Sequence, residues 1–229
     1  MKRILFVLFL IVTATQAQAQ INELGLFVGG ANYIGDIGPT TYVAPEKLAL
    51  GLVYKWNRSP RHAWRASATY GRITSNDDNS DVPGRKQRGK QFENEVKEVS
   101  LGLEFNFLDF NLHEEGFKMT PYIYGGLSYF MYDENIIESN SQRAKDVDNG
   151  SGLAIPMTVG VKAHIAKNFV LGFEVGARYT FTDNLDGSNP SDNKYANLRI
   201  GNLESNDWYV FSGFTLTYTF GIKPCYCSQ

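Results

Sequence analysis

Thirteen residues near the C-terminus constrain this chain most. In Trp208-Tyr209-Val210-Phe211-Ser212-Gly213-Phe214-Thr215-Leu216-Thr217-Tyr218-Thr219-Phe220, Val210, Phe214, Leu216, Tyr218 and Phe220 fall on one side. Gly213, Thr215, Thr217 and Thr219 fall on the other. A period of two is the signature of a strand with one apolar and one polar face. At about 3.3 Å per residue the stretch reaches over about 40 Å. Soluble strands usually run about 5–6 residues, whereas a tilted strand crosses a bilayer with about 9–11. A long alternating strand with an aromatic at its end, close to the C-terminus, suggests the closing strand of an outer-membrane barrel.

The N-terminus supplies a matching address. Met1-Lys2-Arg3 is basic, residues 4–12 are an unbroken apolar run, and Ala17-Gln18-Ala19 is a small-residue cleavage site. Residues 1–19 are therefore expected to be a secretory signal peptide, cut before Gln20. The run is too short to span a bilayer as a helix, and no other segment reaches 18 apolar residues. Loss of Lys2 and Arg3 takes the formal charge from −2 to −4, and neither value suggests a nucleic-acid partner. A mean hydropathy of −0.28 looks soluble, but a membrane barrel does too, because only alternate residues face lipid. The 22 Gly, 13 Tyr and 15 Phe suit long strands with aromatic girdles.

Seven further alternating stretches precede the last one. They are read at 23–34, 47–56, 62–73, 95–108, 121–132, 155–165 and 169–182. The stretch at 95–108 alternates most cleanly: Val99, Leu101, Leu103, Phe105 and Phe107 against Glu98, Ser100, Gly102, Glu104 and Asn106. Phe27 is a weak spot in the first, and the fifth is aromatic on both faces. Connections at 74–94, 133–152 and 183–207 are long and polar, whereas those at 57–61 and 166–168 are short. Long and short connections alternate in membrane barrels, long outside and short in the periplasm. The expectation is an all-β chain: an eight-stranded antiparallel transmembrane β-barrel over residues 20–221, both termini periplasmic, with a short periplasmic tail at 222–229. A secreted soluble barrel or sandwich would carry the same alternation turned inside out. Strand length, loop asymmetry and the girdle positions of Trp56 and Trp64 favour the membrane.

With the apolar face on lipid, the lumen receives Lys55, Arg65, Glu98, Glu104, Lys162, Glu174 and Arg178, with His164 nearby. Eight strands leave an interior that side chains fill. The cluster therefore reads as a plugged, ion-paired core, with a gated pore or proton path as the lesser reading. No pair of His has metal-ligand spacing and none lies in a long external loop, so no catalytic residue, metal or cofactor is expected. The stretch Asp183-Asn184-Leu185-Asp186-Gly187 resembles half a calcium loop without the closing Glu, and reads as an ordinary turn. The basic stretch at 84–90, preceded by Asp77, Asp78 and Asp81, reads as a solvated loop, with lipopolysaccharide phosphates as the alternative contact. No small-molecule substrate is indicated. The connection at 109–120 is long for a periplasmic turn. Its Leu112, His113, Phe117 and Met119 are either a docking surface or a plug folded under the barrel. Cys225 and Cys227 would meet an oxidising periplasm; a strained mutual disulfide, pairing with a partner protein and no fixed pairing all remain open.

Tyr33-Ile34-Gly35-Asp36-Ile37-Gly38-Pro39-Thr40, the stretch from Leu50 to Asn57, and Pro121-Tyr122-Ile123-Tyr124-Gly125-Gly126 resemble the PorG-type outer-membrane barrels of Bacteroidetes. The resemblance covers nearly the whole mature chain and is most specific at Asn32, Tyr33, Gly35 and Asp36. It implies an outer-membrane component of the type IX secretion system, which exports cargo and in some species drives gliding motility. Such a component is a structural anchor that associates with the periplasmic ring of lipoprotein and partner subunits, with outer-membrane lipid and lipopolysaccharide around it. It implies no enzymatic activity and no cofactor. The alternative is a stand-alone small barrel of adhesin or membrane-stabilising type.

Overall fold

Alternation in sequence becomes alternation of burial. Along the strand Gln91–Asn106, Leu103 is 48% exposed while its neighbour Glu104 is 0% exposed. The same parity runs through Leu24, Leu26 and Val28 against Glu23 and Phe27, and through Phe214, Leu216, Tyr218 and Phe220 against Thr215, Thr217 and Thr219. Burying one Leu or Phe side chain is worth about 1.5–3 kcal/mol, and soluble monomers rarely expose contiguous apolar patches above a few hundred Å². A belt of large apolar side chains facing out around a polar interior is stable where lipid surrounds it.

The computed structural model describes residues 21–112, 116–138, 140–190, 192–202 and 205–221. Their strands are β1 (Ile21–Ile34), β2 (Lys47–Asn57), β3 (His62–Asn76), β4 (Gln91–Asn106), β5 (Met119–Ile136), β6 (Lys145–Ala166), β7 (Phe169–Thr180) and β8 (Trp208–Phe220). Each pairs antiparallel with its chain neighbours, and β1 closes on β8 from Asn22 opposite Phe220 to Ile34 opposite Trp208. The result is an eight-stranded transmembrane β-barrel with no free sheet edge. Among the described residues no helix is long and apolar enough to cross a membrane. The expected leader at 1–19, His113 and the tail with Cys225 and Cys227 lie outside the described residues.

The two ends differ. At the turn end, Arg58 and Ser59 amides bond the His62 carbonyl in a tight hairpin, Trp56 stands opposite Trp64, and the first and last strands meet. At the loop end the polar connections are shorter than their composition indicates. β5 and β6 pair from Met119 opposite Ala163 up to Ile136 opposite Lys145, past a register shift at Glu134/Asn135. The stretch read as a loop at 133–152 is thus mostly a hairpin extending beyond the apolar belt. Likewise β3 runs to Asn76 and β4 begins at Gln91, with a short helix, α1 (Pro83–Arg88), between them. Polar strand ends carry no alternation for the eye to follow, yet the backbone ladder continues for want of anything to stop it.

The interior is filled. Phe27, Phe130, Tyr132, Tyr209 and Phe211 point inward. Glycines on other strands make the room: a Cβ on Gly71 would meet the Phe211 ring at 2.7 Å, and one on Gly160, the register partner of Tyr122, would meet that ring at 2.7 Å. That explains Phe27, which breaks the pattern in sequence but packs 6.5 Å from Phe211 in the lumen.

Candidate functional site

The turn-side half of the lumen is built around two glutamates. Lys55 Nζ lies 3.0 Å from Glu104 Oε1 and 2.8 Å from Oε2, the second contact ionic rather than hydrogen-bonded. Lys162 Nζ reaches Glu104 Oε1 at 2.5 Å. Arg65 donates two parallel bonds of 2.7 Å to Glu174 and passes 3.6 Å from Glu104. The Tyr122 hydroxyl donates to Glu174, and Tyr122 also receives the Lys55 ammonium 5.1 Å from its ring centroid. One layer further along, Arg178 pairs with Glu98 at 3.2 Å and the Tyr209 hydroxyl donates to Glu98 at 2.6 Å. All seven residues predicted for the lumen are thus buried and joined in two ion-pair groups.

Sequence reading missed Glu23, which accepts from Asn57 Nδ2 (2.8 Å) and Thr217 Oγ1 (2.6 Å). Its parity, one residue before outward Leu24, carried the signal. With Glu23 the described strands bury four cations and four carboxylates among the barrel's interior groups. Charges taken from water cost several kcal/mol each unless paired and hydrogen-bonded. Seven of these eight groups are ion-paired, and Glu23 is held by its two neutral donors.

The loop-side mouth is organised by the stretch that carries the family resemblance. Asn32 donates to the Thr41 and Tyr42 carbonyls (3.2 and 3.3 Å) and accepts the Ala44 amide (3.3 Å), pinning the 35–46 connection. Tyr33 points inward, and its hydroxyl stands in hydrogen-bonding contact with Asp186 Oδ2 (2.7 Å) and Asp207 Oδ1. A Cβ on Gly35 would collide with the Tyr33 hydroxyl and the Asp207 carboxylate, so only glycine leaves space for that contact. Asp36 Oδ2 accepts the Asn202 amide at 2.9 Å.

Two loop stretches are held more firmly than their composition indicates. The turn from Asp183 to Gly187 is a buried one. Asn184, Leu185, Asp186 and Ser188 are buried, with Leu185 packed into the apolar cluster of Tyr33, Ile37, Ile73 and Phe92. Gly187 takes a positive φ of 80° there against Asn135. The basic stretch is not a free cationic tip. Arg88 bonds Asp77 (2.7 and 3.0 Å) and the Asp36 carbonyl, Arg85 bonds the Gly38 carbonyl (2.7 Å), and Lys90 reaches the Ser141 carbonyl (2.5 Å). Burial opposes ionisation of Asp77, but Arg88 and the Gly38 and Lys90 amides outweigh it and hold its carboxyl below the usual value. Asp183 is pushed the other way, to about 6, by burial and by the charges of Asp186 and Asp36.

At the turn end the connection at 109–120 divides. Phe110 is buried beneath the barrel with Lys162 5.0 Å from its ring centroid. That is the plug, formed by a residue that the sequence reading did not single out. Leu112 is half-buried, whereas Phe117 is 73% exposed and Met119 is exposed beside it. Arg61 ties the segment to the neighbouring hairpin through Asp109 (2.5 Å) and the Phe107 carbonyl (3.2 Å).

Comparison with known proteins follows the same lines. No curated protein matches the chain. Among solved structures, the N-terminal β-barrel domain of Pseudomonas aeruginosa OprF is similar at 14% identity and a TM-score of 0.44, covering 90% of this chain and 100% of that one. Ail of Yersinia pestis, in complex with the heparin analogue sucrose octasulfate, is similar at 10% identity and 0.44, over 89% and 100%. A major outer membrane protein from Thermus thermophilus is similar at 14% and 0.45, over 89% and 100%. A family model, Domain of unknown function (DUF6089), matches residues 2–229. The chain belongs to that DUF6089 family, and its fold is the small eight-stranded transmembrane barrel.

Proposed function

We propose that this chain is a structural and interaction protein of the Gram-negative outer membrane, without catalytic activity, and that it anchors the type IX secretion machine there. One observation carries the membrane part: the barrel turns its apolar side chains outward and neutralises its charges within a filled lumen. The resemblance at Asn32, Tyr33, Gly35 and Asp36 supports the secretion part. In this reading the turn end and both termini lie in the periplasm, and the cross-stitched loops face outward into the lipopolysaccharide layer. The ring subunits then meet the turn end, where exposed Phe117 and Met119, with half-buried Leu112, offer an apolar contact that a solvated turn does not need.

The test is capture of periplasmic ring subunits on the tagged barrel, with and without the 109–120 connection cut back to a tight turn that retains Phe110. Normal insertion with lost capture and lost cargo secretion is the expected result. The second reading, a stand-alone adhesin-like or membrane-stabilising barrel, is favoured by the ordered loop end. It predicts an intact secretome after deletion of the gene. Recovery of the protein from the soluble periplasmic fraction would end both.

A further inference from the structure

The mouth has more hydrogen-bond contacts than its hydroxyl has protons. The Tyr33 oxygen accepts the Asp36 amide (3.2 Å) and stands in hydrogen-bonding contact with both Asp186 Oδ2 (2.7 Å) and Asp207 Oδ1. A phenol carries one proton. It donates to one carboxylate, and the contact with the other needs a proton brought by the acid. Asp186 and Asp207 are 0% and 1% exposed, and their remaining oxygens are occupied by the Ser188 and Leu185 amides (2.8 and 2.9 Å).

The surrounding charges do not relieve this. From the 35–46 connection comes Asp36, and from the mouth segment itself comes Asp183, both further carboxylates. Glu134, at the top of β5, receives the Asn184 amide at 3.1 Å. The cation that α1 brings, Arg88, is bonded to Asp77. The hydroxyl–carboxylate contacts themselves call for a proton in addition to the one that Tyr33 carries.

We propose that a proton shared by Tyr33, Asp186 and Asp207 latches residues 184–188 into the barrel mouth, and that raising the pH removes it and releases the segment. Burial first, and the charge of Asp186 second, push Asp207 well above the usual carboxylate range, and burial raises Asp186 as well. A released, solvated Asp ionises near about 4. The latched state therefore binds the proton more tightly, and its stability is lost as pH rises through its own titration. Between the released value and the raised latched one, each pH unit favours release about tenfold for one proton, and above the latched value the dependence levels off. Below about pH 4 both states are protonated and the latch is indifferent to pH. Release opens no channel, because Phe27, Phe130, Tyr209 and Phe211 fill the lumen below. It frees the surface segment that Leu185 anchors, held also by Asn94 Nδ2 on the Leu185 carbonyl (2.7 Å).

Hydrogen exchange of the folded barrel in micelles, corrected for intrinsic rates from about pH 5 to about pH 9, tests this. Wild-type peptides spanning 183–190 are expected to gain an opening constant that climbs about tenfold per pH unit over part of the range, while peptides from the middle of β4 stay level. Asp207→Asn and Asp186→Asn should flatten the profile, and Tyr33→Phe should loosen the segment at every pH. Heat-modifiable gel mobility confirms that each variant is folded. A level wild-type profile overturns the proposal, even if a variant fails to fold. So does a wild-type slope that survives in both Asn variants.

Discussion

The two halves of the lumen solve the same electrostatic problem differently. On the turn side, Glu104 and Glu174 meet Lys55, Lys162 and Arg65, so each of these five buried charges faces its opposite. At the mouth, Asp186 and Asp207 face each other across Tyr33. The first arrangement is neutral because cations are built in. The second becomes neutral by taking a proton. The difference teaches that burial of a carboxylate says nothing of its role until its neighbours are counted. Paired with lysine it is a permanent cross-link, and paired with another acid it is a pH-dependent one.

Glu104→Gln breaks the comparison hardest. It keeps the side chain's size and leaves Lys55 and Lys162 buried without their counter-ion. The expected loss is on the order of 3–5 kcal/mol in denaturant unfolding of the micelle-bound barrel. Restoring neutrality with Lys162→Met in the same chain should recover part of that loss, and an unchanged single variant would mean that the cluster is solvated. Leu103→Arg comes next. One residue away on the lipid face, it places a cation near mid-barrel and should cost about 2–4 kcal/mol. Normal assembly would invert the assignment of faces.

Smaller effects separate the loop-end acids from one another. Asp77 sits below its usual value, so its tie to Arg88 is at full strength at neutral pH and weakens as pH falls through the titration, below about 4. Exchange at 77–90 should therefore speed up in acid, opposite to 183–190. Asp183, raised to about 6, costs stability as pH rises through that value. Asp183→Asn should remove an early component of the rise at 183–190 and leave the part that depends on Asp207. The smallest effect is expected of Asp207→Asn on global stability below about pH 4, within about 0.5 kcal/mol, because burial raises this carboxyl and the folded and unfolded states both hold the proton there. A loss as large as that of Glu104→Gln would show that Asp207 is a charged anchor and erase the contrast between the halves.

Alternation by itself determined the strand count, the inward and outward faces and the seven charges of the expected lumen, because side-chain parity along a strand is local. It would have placed Glu23 too, had that residue's parity with Leu24 been followed to the strand's first turn. What lay beyond it was which charge meets which. Tyr33 and Asp186 are 153 positions apart, and their contact depends on closure of β1 on β8 and on the tilt and stagger that set the barrel's width. The same holds for Arg65 reaching Glu174 across the lumen, for Phe27 packing against Phe211 where β1 closes on β8, and for Phe110 closing the turn end under Lys162. Local chain chemistry decides the face on which a residue stands. Only the closed ring decides what it finds there, because partners in a barrel interior come from strands that the chain order keeps apart.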